Sequence, residues 1–444
     1  VPGIAGAKYK SFTDPVAEGG YVACIATLSG TPKPPASVVL RYGNPGTAPE
    51  VIAKAGDVAP GADGLPPAGG AKFKTFKAVA LNGNLVAVFA QLTGGTGAEK
   101  ATAANDYGVW ALHNGSLRLM LREGQVIGGK TIKTLVTFAP GNGSPGCGRG
   151  WLSNNAGDYG RVLALALFAD KSQGVVFVDS SNIATPSLLS LSGAGVVGGD
   201  PILGGSGHFA SYGLPALTVP NTNNTSAFRG TIEVNNTDVT KATASGIFAK
   251  STLAGAGYAI VARAGDPAGS SGVFSAFKDV ALANDGGLAF PATLKATATV
   301  KGLATQTLWW KKPADSTPTL LAQGGASLVP VGDIPGAQWK AFTSLAIAAG
   351  RGPIFAATLV PKKNVVTPAN ASGVWACDFT GAPRLLFRTG DTNIIAGKTL
   401  KSFTLLNATV GSKGVTRSFN GSGEVVWLAT FIDKSQAIVV TEVP

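Results

Sequence analysis

The chain has 444 residues, 45% hydrophobic and only 14% charged, with 61 glycines, 27 prolines and a net charge of +12. Its apolar content excludes a disordered protein, and the lack of any run of roughly 18 uninterrupted apolar residues excludes a spanning helix. Three scattered cysteines exclude a disulfide framework, and the dispersed basic residues suit polyanions in general without any sequence-specific nucleic-acid motif.

Charge well below the roughly 25% of an average globular chain, with abundant Gly and Pro, describes many short strands joined by tight turns. The chain opens on Val1 and holds one methionine, Met120, which predicts a processed amino terminus from which a leader has been removed. Cys24 and Cys377 fall in predicted strands and are expected to be buried, inert thiols, whereas Cys147 falls in a Gly-rich loop.

In chain order one unit recurs. The first, 1–61, opens on Tyr9 and Phe12 and predicts strands over 21–28, 37–42 and 50–55. The second, 62–129, opens on Phe73 and Phe76 and continues at 85–92, 108–113 and 117–122. The third, 130–199, opens on Ile132 and Leu135 with strands at 162–168, 174–179 and 187–191. Phe209 and Tyr212 open the fourth, 200–269, before 226–234, 246–251 and 258–264. Phe274 and Phe277 open the fifth, 270–333, before 288–294, 307–312 and 319–322. Trp339 and Phe342 open the sixth, 334–397, before 354–359, 373–378 and 384–388. The seventh, 398–444, opens on Leu400 and Phe403 and carries strands at 424–431 and 437–442 with no fourth.

The second strands are apolar on both faces for several residues, which predicts cover on both sides. No unit holds sustained helical periodicity. An open β-solenoid or a row of small sandwiches would satisfy such a repeat. Four antiparallel strands per unit and a count of seven favour a closed ring, an all-β, seven-bladed β-propeller whose last blade is one strand short. The third and fourth units are stretched, at 139–159 and 213–245. An unpaired third-strand edge in the last unit must be capped, kept short, or filled by another chain through strand addition.

The clearest copy of the turn between first and second strands is Asn284-Asp285-Gly286-Gly287-Leu288-Ala289-Phe290. Looser copies lie at Asn82-Gly83-Asn84-Leu85-Val86-Ala87 and at Asn420-Gly421-Ser422-Gly423-Glu424-Val425-Val426. This motif resembles the signature of the tandem repeat NxxGxxAF-containing bacterial surface proteins. The resemblance extends over the seven units, though only the fifth matches it letter for letter. It implies a secreted or cell-surface location and repeated β-structure, and it assigns no reaction. The ending Val440-Thr441-Glu442-Val443-Pro444 also resembles the lead-in to a PEP-CTERM sorting signal, which implies an anchor removed by processing.

The Gly-Asp turns at Asp57, Asp266 and Asp391 are candidate ligands for Ca²⁺ or a sugar hydroxyl, as a ring of carboxylates at one mouth. The competing reading is structural: a turn Asp satisfies local N–H groups and pairs with the Lys or Arg three residues earlier. Repetition favours structure, because a binding site normally breaks symmetry. The loop 141–151 does break it, and Cys147, Arg149 and Trp151 make it a candidate binding surface. Trp309 and Trp310 lie on opposite faces of one strand; packing between units is the favoured expectation, with one indole exposed as a stacking platform for a sugar or base as the alternative. His113 and His208 stand alone and predict no catalytic pair. There is no P-loop, dinucleotide fingerprint, CxxC or HExxH, and no cofactor is expected.

The function these features imply is a secreted or cell-surface, non-enzymatic structural or binding module. Its partner is expected to be a protein or an anionic polysaccharide, or a second copy joined by strand addition into an oligomer or filament. The alternative is an extracellular polysaccharide-cleaving enzyme, a lyase or hydrolase, with acidic residues at the mouth of the ring.

Overall fold

Each second strand is a Val/Ile/Leu/Ala run that can be satisfied only by partners on both edges and cover on both faces. The computed structural model supplies both. It describes all residues except 14, 19–20, 44–47, 83, 139–150, 154–159, 180–185, 194–207, 218–225, 235–238, 251–257, 284, 327–333, 349, 379, 406–418, 420–421 and 444. Seven antiparallel sheets stand round a ring as a seven-bladed β-propeller, in which each second strand lies between the first and third. In blade 1 the order is Ala7–Phe12, Tyr21–Gly30, Ser37–Tyr42 and Glu50–Lys54, and blades 2 to 6 repeat it. Among the described residues, blade 7 holds three strands: Leu400–Thr404, Glu424–Phe431 and Gln436–Glu442.

The aromatic-x-x-aromatic opening has a specific backbone cause. On a regular strand, residues three apart point to opposite faces. Every first strand here carries a register shift just after its opening residue, between Tyr9 and Ser11, Phe73 and Thr75, Phe274 and Ala276, and at the matching places in the other blades. The extra residue of the bulge turns the second aromatic back to the side of the first. Their ring centroids then meet at 5.0 Å (Tyr9–Phe12), 5.3 Å (Phe73–Phe76), 5.1 Å (Phe209–Tyr212) and 5.3 Å (Phe274–Phe277). Beyond the bulge the chain adds short strands that the sequence pattern misses, Val16–Glu18, Trp151–Ser153, Ala216–Leu217 and Ala281–Leu282, each paired to the second strand. In blades 2 and 6 both pieces are continuous, as Lys72–Asn82 and Trp339–Ala346.

The core lies between the sheets. One apolar cluster joins blades 1, 2 and 3, a second blades 3 and 4, a third blades 4 and 5, and a fourth blades 5, 6 and 7. Cys24, Ala26, Leu28 and Leu40 form a separate cluster on the far face of blade 1, packed by Val1, Ile4 and Tyr9. Burial there pushes the Cys24 thiol up to about 11, as expected of an inert cysteine. Among the described residues, no apolar cluster joins blade 7 to blade 1.

Candidate functional site

The joint between neighbouring blades is built from the turn that ends each fourth strand. Its glycine takes a positive φ (Gly56 97°, Gly124 83°, Gly193 69°, Gly265 93°, Gly325 70°, Gly390 86°), a region open to glycine at little cost. That conformation aims the glycine N–H at the carbonyl of the next blade's opening residue. The bonds are Gly56 to Phe73 at 2.8 Å, Gly124 to Ile132 at 2.8 Å, Gly193 to Phe209 at 3.0 Å, Gly265 to Phe274 at 2.8 Å, Gly325 to Trp339 at 2.8 Å and Gly390 to Leu400 at 2.7 Å. In four joints the opening residue's N–H donates back: Phe73 to Asp57 O at 3.0 Å, Ile132 to Gln125 O at 2.9 Å, Phe274 to Asp266 O at 3.0 Å and Leu400 to Asp391 O at 2.8 Å. Each joint is thus a backbone clasp between consecutive sheets.

The repeated carboxylates each form an ion pair within the turn of a clasp. Lys54 pairs with Asp57 at 3.6 Å, Arg263 with Asp266 at 3.6 Å and Arg388 with Asp391 at 4.0 Å, each across its own turn. Asp391 also accepts the Arg388 N–H at 2.8 Å. The three lie in separate joints, and no group of three or more His, Cys, Asp or Glu able to hold a metal ion occurs among the described residues. The sequence singled out the aspartate, but its backbone carbonyl and the glycine N–H make the joint.

The joint between blade 7 and blade 1 differs. Tyr9 holds the opening position there, pairing with Leu28 before a bulge just as Phe73 pairs with Leu92. Among the described residues, no clasp closes on it. On the other side stands the third strand Gln436–Glu442, the last of its sheet. Ile438 occupies the position of Val39, Val109, Val175, Ile247, Leu308 and Val374 in the other blades. These six are all 0% exposed, whereas Ile438 is 78% exposed. Val440 beside it is 58% exposed, and Phe12 on the blade 1 side is 53% exposed although its counterparts Phe76 and Phe277 are buried. An aliphatic side chain left in water forgoes about 1.5–3 kcal/mol of burial. This seam is the candidate functional site.

Those residues read from the sequence as a binding surface that are described lie away from this seam. Cys147 and Arg149 fall outside the described residues. Trp151 begins the short strand Trp151–Ser153, opposite Val162. Packing between units, the favoured reading of Trp309 and Trp310, is what is observed, and the stacking-platform alternative is corrected: both are 3% exposed. Trp309 packs toward blade 4, edge-on to Phe274 at 4.9 Å and donating its indole N–H to Thr307 Oγ1 at 2.8 Å, while Trp310 packs toward blade 6. A sheet sandwiched on both faces leaves neither indole to a ligand.

A second concavity, of about 320 Å³, opens between blades 5 and 6 and is lined by Lys278, Thr293, Thr305, Gln306 and Phe342. Nearer the turns, Asp285 of the NDGG motif accepts the N–H of Gly287 at 2.9 Å and of Gly350 in the next blade at 2.7 Å, so this motif too stitches neighbours together.

No curated protein sequence matches the chain. Among solved structures it is similar to a Trypanosoma rangeli sialidase in complex with sialic acid (11% identity, 80% of this chain and 53% of that one, TM-score 0.31). It is also similar to Pyrococcus horikoshii acylaminoacyl peptidase (9%, 97% and 52%, TM-score 0.38) and to a polysaccharide lyase described as an ulvan lyase (8%, 99% and 94%, TM-score 0.37). The chain spans about half the length of the sialidase and of the peptidase, and these likenesses assign it no activity. Among the described residues, no helix is long and apolar enough to cross a membrane. One family model matches the chain over residues 1–190 and again over 191–444, and by that match the chain belongs to the family of unknown function DUF7453.

Proposed function

We propose that the chain is a secreted or cell-surface, non-enzymatic module that holds a protein partner at the seam between blades 7 and 1. The observation that carries this reading is Ile438, exposed where six equivalent residues are fully buried, on a strand with no neighbour beyond it among the described residues. An apolar patch beside an unpaired strand edge is the usual signature of a binding surface. The resemblance of the turn motif to bacterial surface repeats supports the location. The test compares retention on the source cell's envelope of the wild type and of the double variant Ile438→Lys, Val440→Lys. Selective release of the variant is expected, and equal retention of both proteins would remove the seam from the account.

A second reading rests on the cavity between blades 5 and 6. A lysine, two threonine hydroxyls, an amide and an aromatic ring suit an anionic sugar, so an acidic polysaccharide is the ligand proposed for it. Among the described residues its lining includes no carboxylate to act as general acid or base, so the chemistry there favours holding a sugar over cleaving one. Calorimetry with uronic-acid or sulfated oligosaccharides should show binding that Lys278→Ala weakens.

A further inference from the structure

We infer that the ring carries, round its axis on the side of the clasps, a basic collar that binds the carboxylate or sulfate groups of an acidic polysaccharide. The collar lies apart from the seam and from the cavity between blades 5 and 6. It shares with the second reading only the class of ligand and does not depend on it.

The first strands stand nearest the axis. Sheets set radially round a ring diverge outward, so strands of like number approach one another only at the centre. Here Val16–Glu18 runs close to Lys72–Asn82, Lys72–Asn82 to Trp151–Ser153, and Ala216–Leu217 to Ala281–Leu282. The distal halves of these strands are packed dry: Val79, Ala80, Ala281, Leu345 and Ala346 are fully buried, as no outer edge could be.

The proximal halves, beside the clasps, are different. The bulge in each first strand skips one residue in the pairing: Lys10, Lys74, Lys133, Ala210, Ser275, Lys340 and Lys401. Left out of the ladder, all seven are exposed. Equivalent positions in successive blades stand at one height round the axis, so residues far apart in sequence become neighbours.

Five of the seven are lysines, and they fall in consecutive blades, 6, 7, 1, 2 and 3. Among the described residues none of the five makes an ion pair or a side-chain hydrogen bond, whereas Lys54, Lys130 and Lys398 are paired to Asp57, Asp170 and Asp433. The stretches 8–13, 72–77, 131–136, 208–213, 273–278, 338–343 and 399–404 hold nine lysines and no Asp or Glu. Nine of the chain's twelve net positive charges therefore sit on the inner strands. Charges of one sign gathered in one place attract polyanions. Lysines that only guarded strand edges against pairing would be needed on every blade. Blades 4 and 5 have none at this position, and a binding site breaks symmetry in this way.

Two features select a glycan. The cations are all lysines, point charges that attract an anion without the planar fork by which arginine orients a phosphate. Hydroxyls follow four of the five (Ser11, Thr75, Thr134 and Ser402), and Ser11 and Ser402 stand opposite Thr27 and Thr430 on the second strand. Charge pairing flanked by hydroxyls suits a polymer that itself carries both hydroxyls and anionic groups.

The test titrates fluorescent oligogalacturonate and a sulfated dextran oligosaccharide onto the whole chain by anisotropy, with neutral dextran and single-stranded DNA alongside. Saturable binding of at least one acidic glycan is expected, weakened by added salt, with none of neutral dextran. The quintuple variant Lys10→Gln, Lys74→Gln, Lys133→Gln, Lys340→Gln, Lys401→Gln should bind about tenfold or more weakly. A quintuple control, Lys33→Gln, Lys100→Gln, Lys241→Gln, Lys301→Gln, Lys363→Gln, removes the same charge from exposed loops and should bind as the wild type does. Ala210→Lys with Ser275→Lys completes the collar and should tighten binding about threefold or more, a gain that misfolding cannot mimic. Equal losses in the two quintuple variants would reduce the effect to net charge and overturn the inference. So would tighter binding of DNA than of either glycan, or no glycan binding by the wild type. If Lys278→Ala abolishes binding and the collar variant does not weaken it, the cavity reading stands and the collar falls. If the collar variant abolishes binding and Lys278→Ala leaves it unchanged, the collar stands and the cavity reading falls.

Discussion

At the level of single residues, cover on both faces of each sheet decides the outcome. Phe274 is buried edge-on against Trp309 at 4.9 Å and beside Phe277 at 5.3 Å. Phe274→Ala is expected to lower stability by about 3–5 kcal/mol, read as a shift in the denaturant midpoint. Packing of the adjacent tryptophans between units was the favoured reading of the sequence, but which neighbour buries each was not legible. Alternation says only that they face opposite ways, and it is the next blade that buries the second one. Glu123 follows the same logic with a charge. It is buried in the turn after Arg122 and accepts the Leu135 N–H at 3.3 Å, and burial raises its carboxyl above the ordinary value. The folded state then holds the proton more tightly than the unfolded chain. That contribution to stability is fully present below the ordinary carboxyl value and is lost as pH rises through the raised folded one. Thermal melts over a pH series should therefore show Glu123→Gln flattening this slope and raising stability at neutral pH.

At the level of the strand and its turns, the sequence was most legible where the chemistry repeats. The predicted third strand at 37–42 and second strands at 288–294, 354–359 and 424–431 match the observed Ser37–Tyr42, Leu288–Leu294, Ile354–Leu359 and Glu424–Phe431. The short strands beyond each bulge were illegible. Two or three residues such as Ala216–Leu217 carry no periodicity of their own and are strands only because a partner lies alongside. The clasp was half legible. The Gly-Asp dipeptide announced a turn, but the bond it makes goes to a residue of the following unit, and no local pattern reports that. A side chain on Gly265 would face both a φ of +93° and Thr243 Cγ2 at 2.6 Å. Gly265→Ala is expected to cost about 1–3 kcal/mol, and amide exchange should accelerate at Phe274 as the clasp loosens.

At the level of the whole molecule, seven similar sheets would be interchangeable but for the one joint that differs. That difference is testable without knowing the partner. In the isolated chain Ile438→Lys should change stability by no more than about 0.5 kcal/mol, as at a surface site. Val109→Lys, at the equivalent place in blade 2, buries a cation where the native side chain is 0% exposed and should unfold the protein or destabilise it severely. Comparable losses at both positions would mean that the seam is packed in solution. The three strands of 398–444 were legible from that stretch alone, whereas the exposure of Phe12, hundreds of residues away, needed the ring to bring the two together. The clasps have a last consequence. Among the described residues, six of them fasten one sheet to the next and none joins blade 7 to blade 1, so a circular outline holds a linear run of links. Such a body should erode from its margins inward. Pulled by its termini or warmed slowly, it should shed the outermost sheets first and keep blades 3 to 5 longest, as a zipper opens from its free ends.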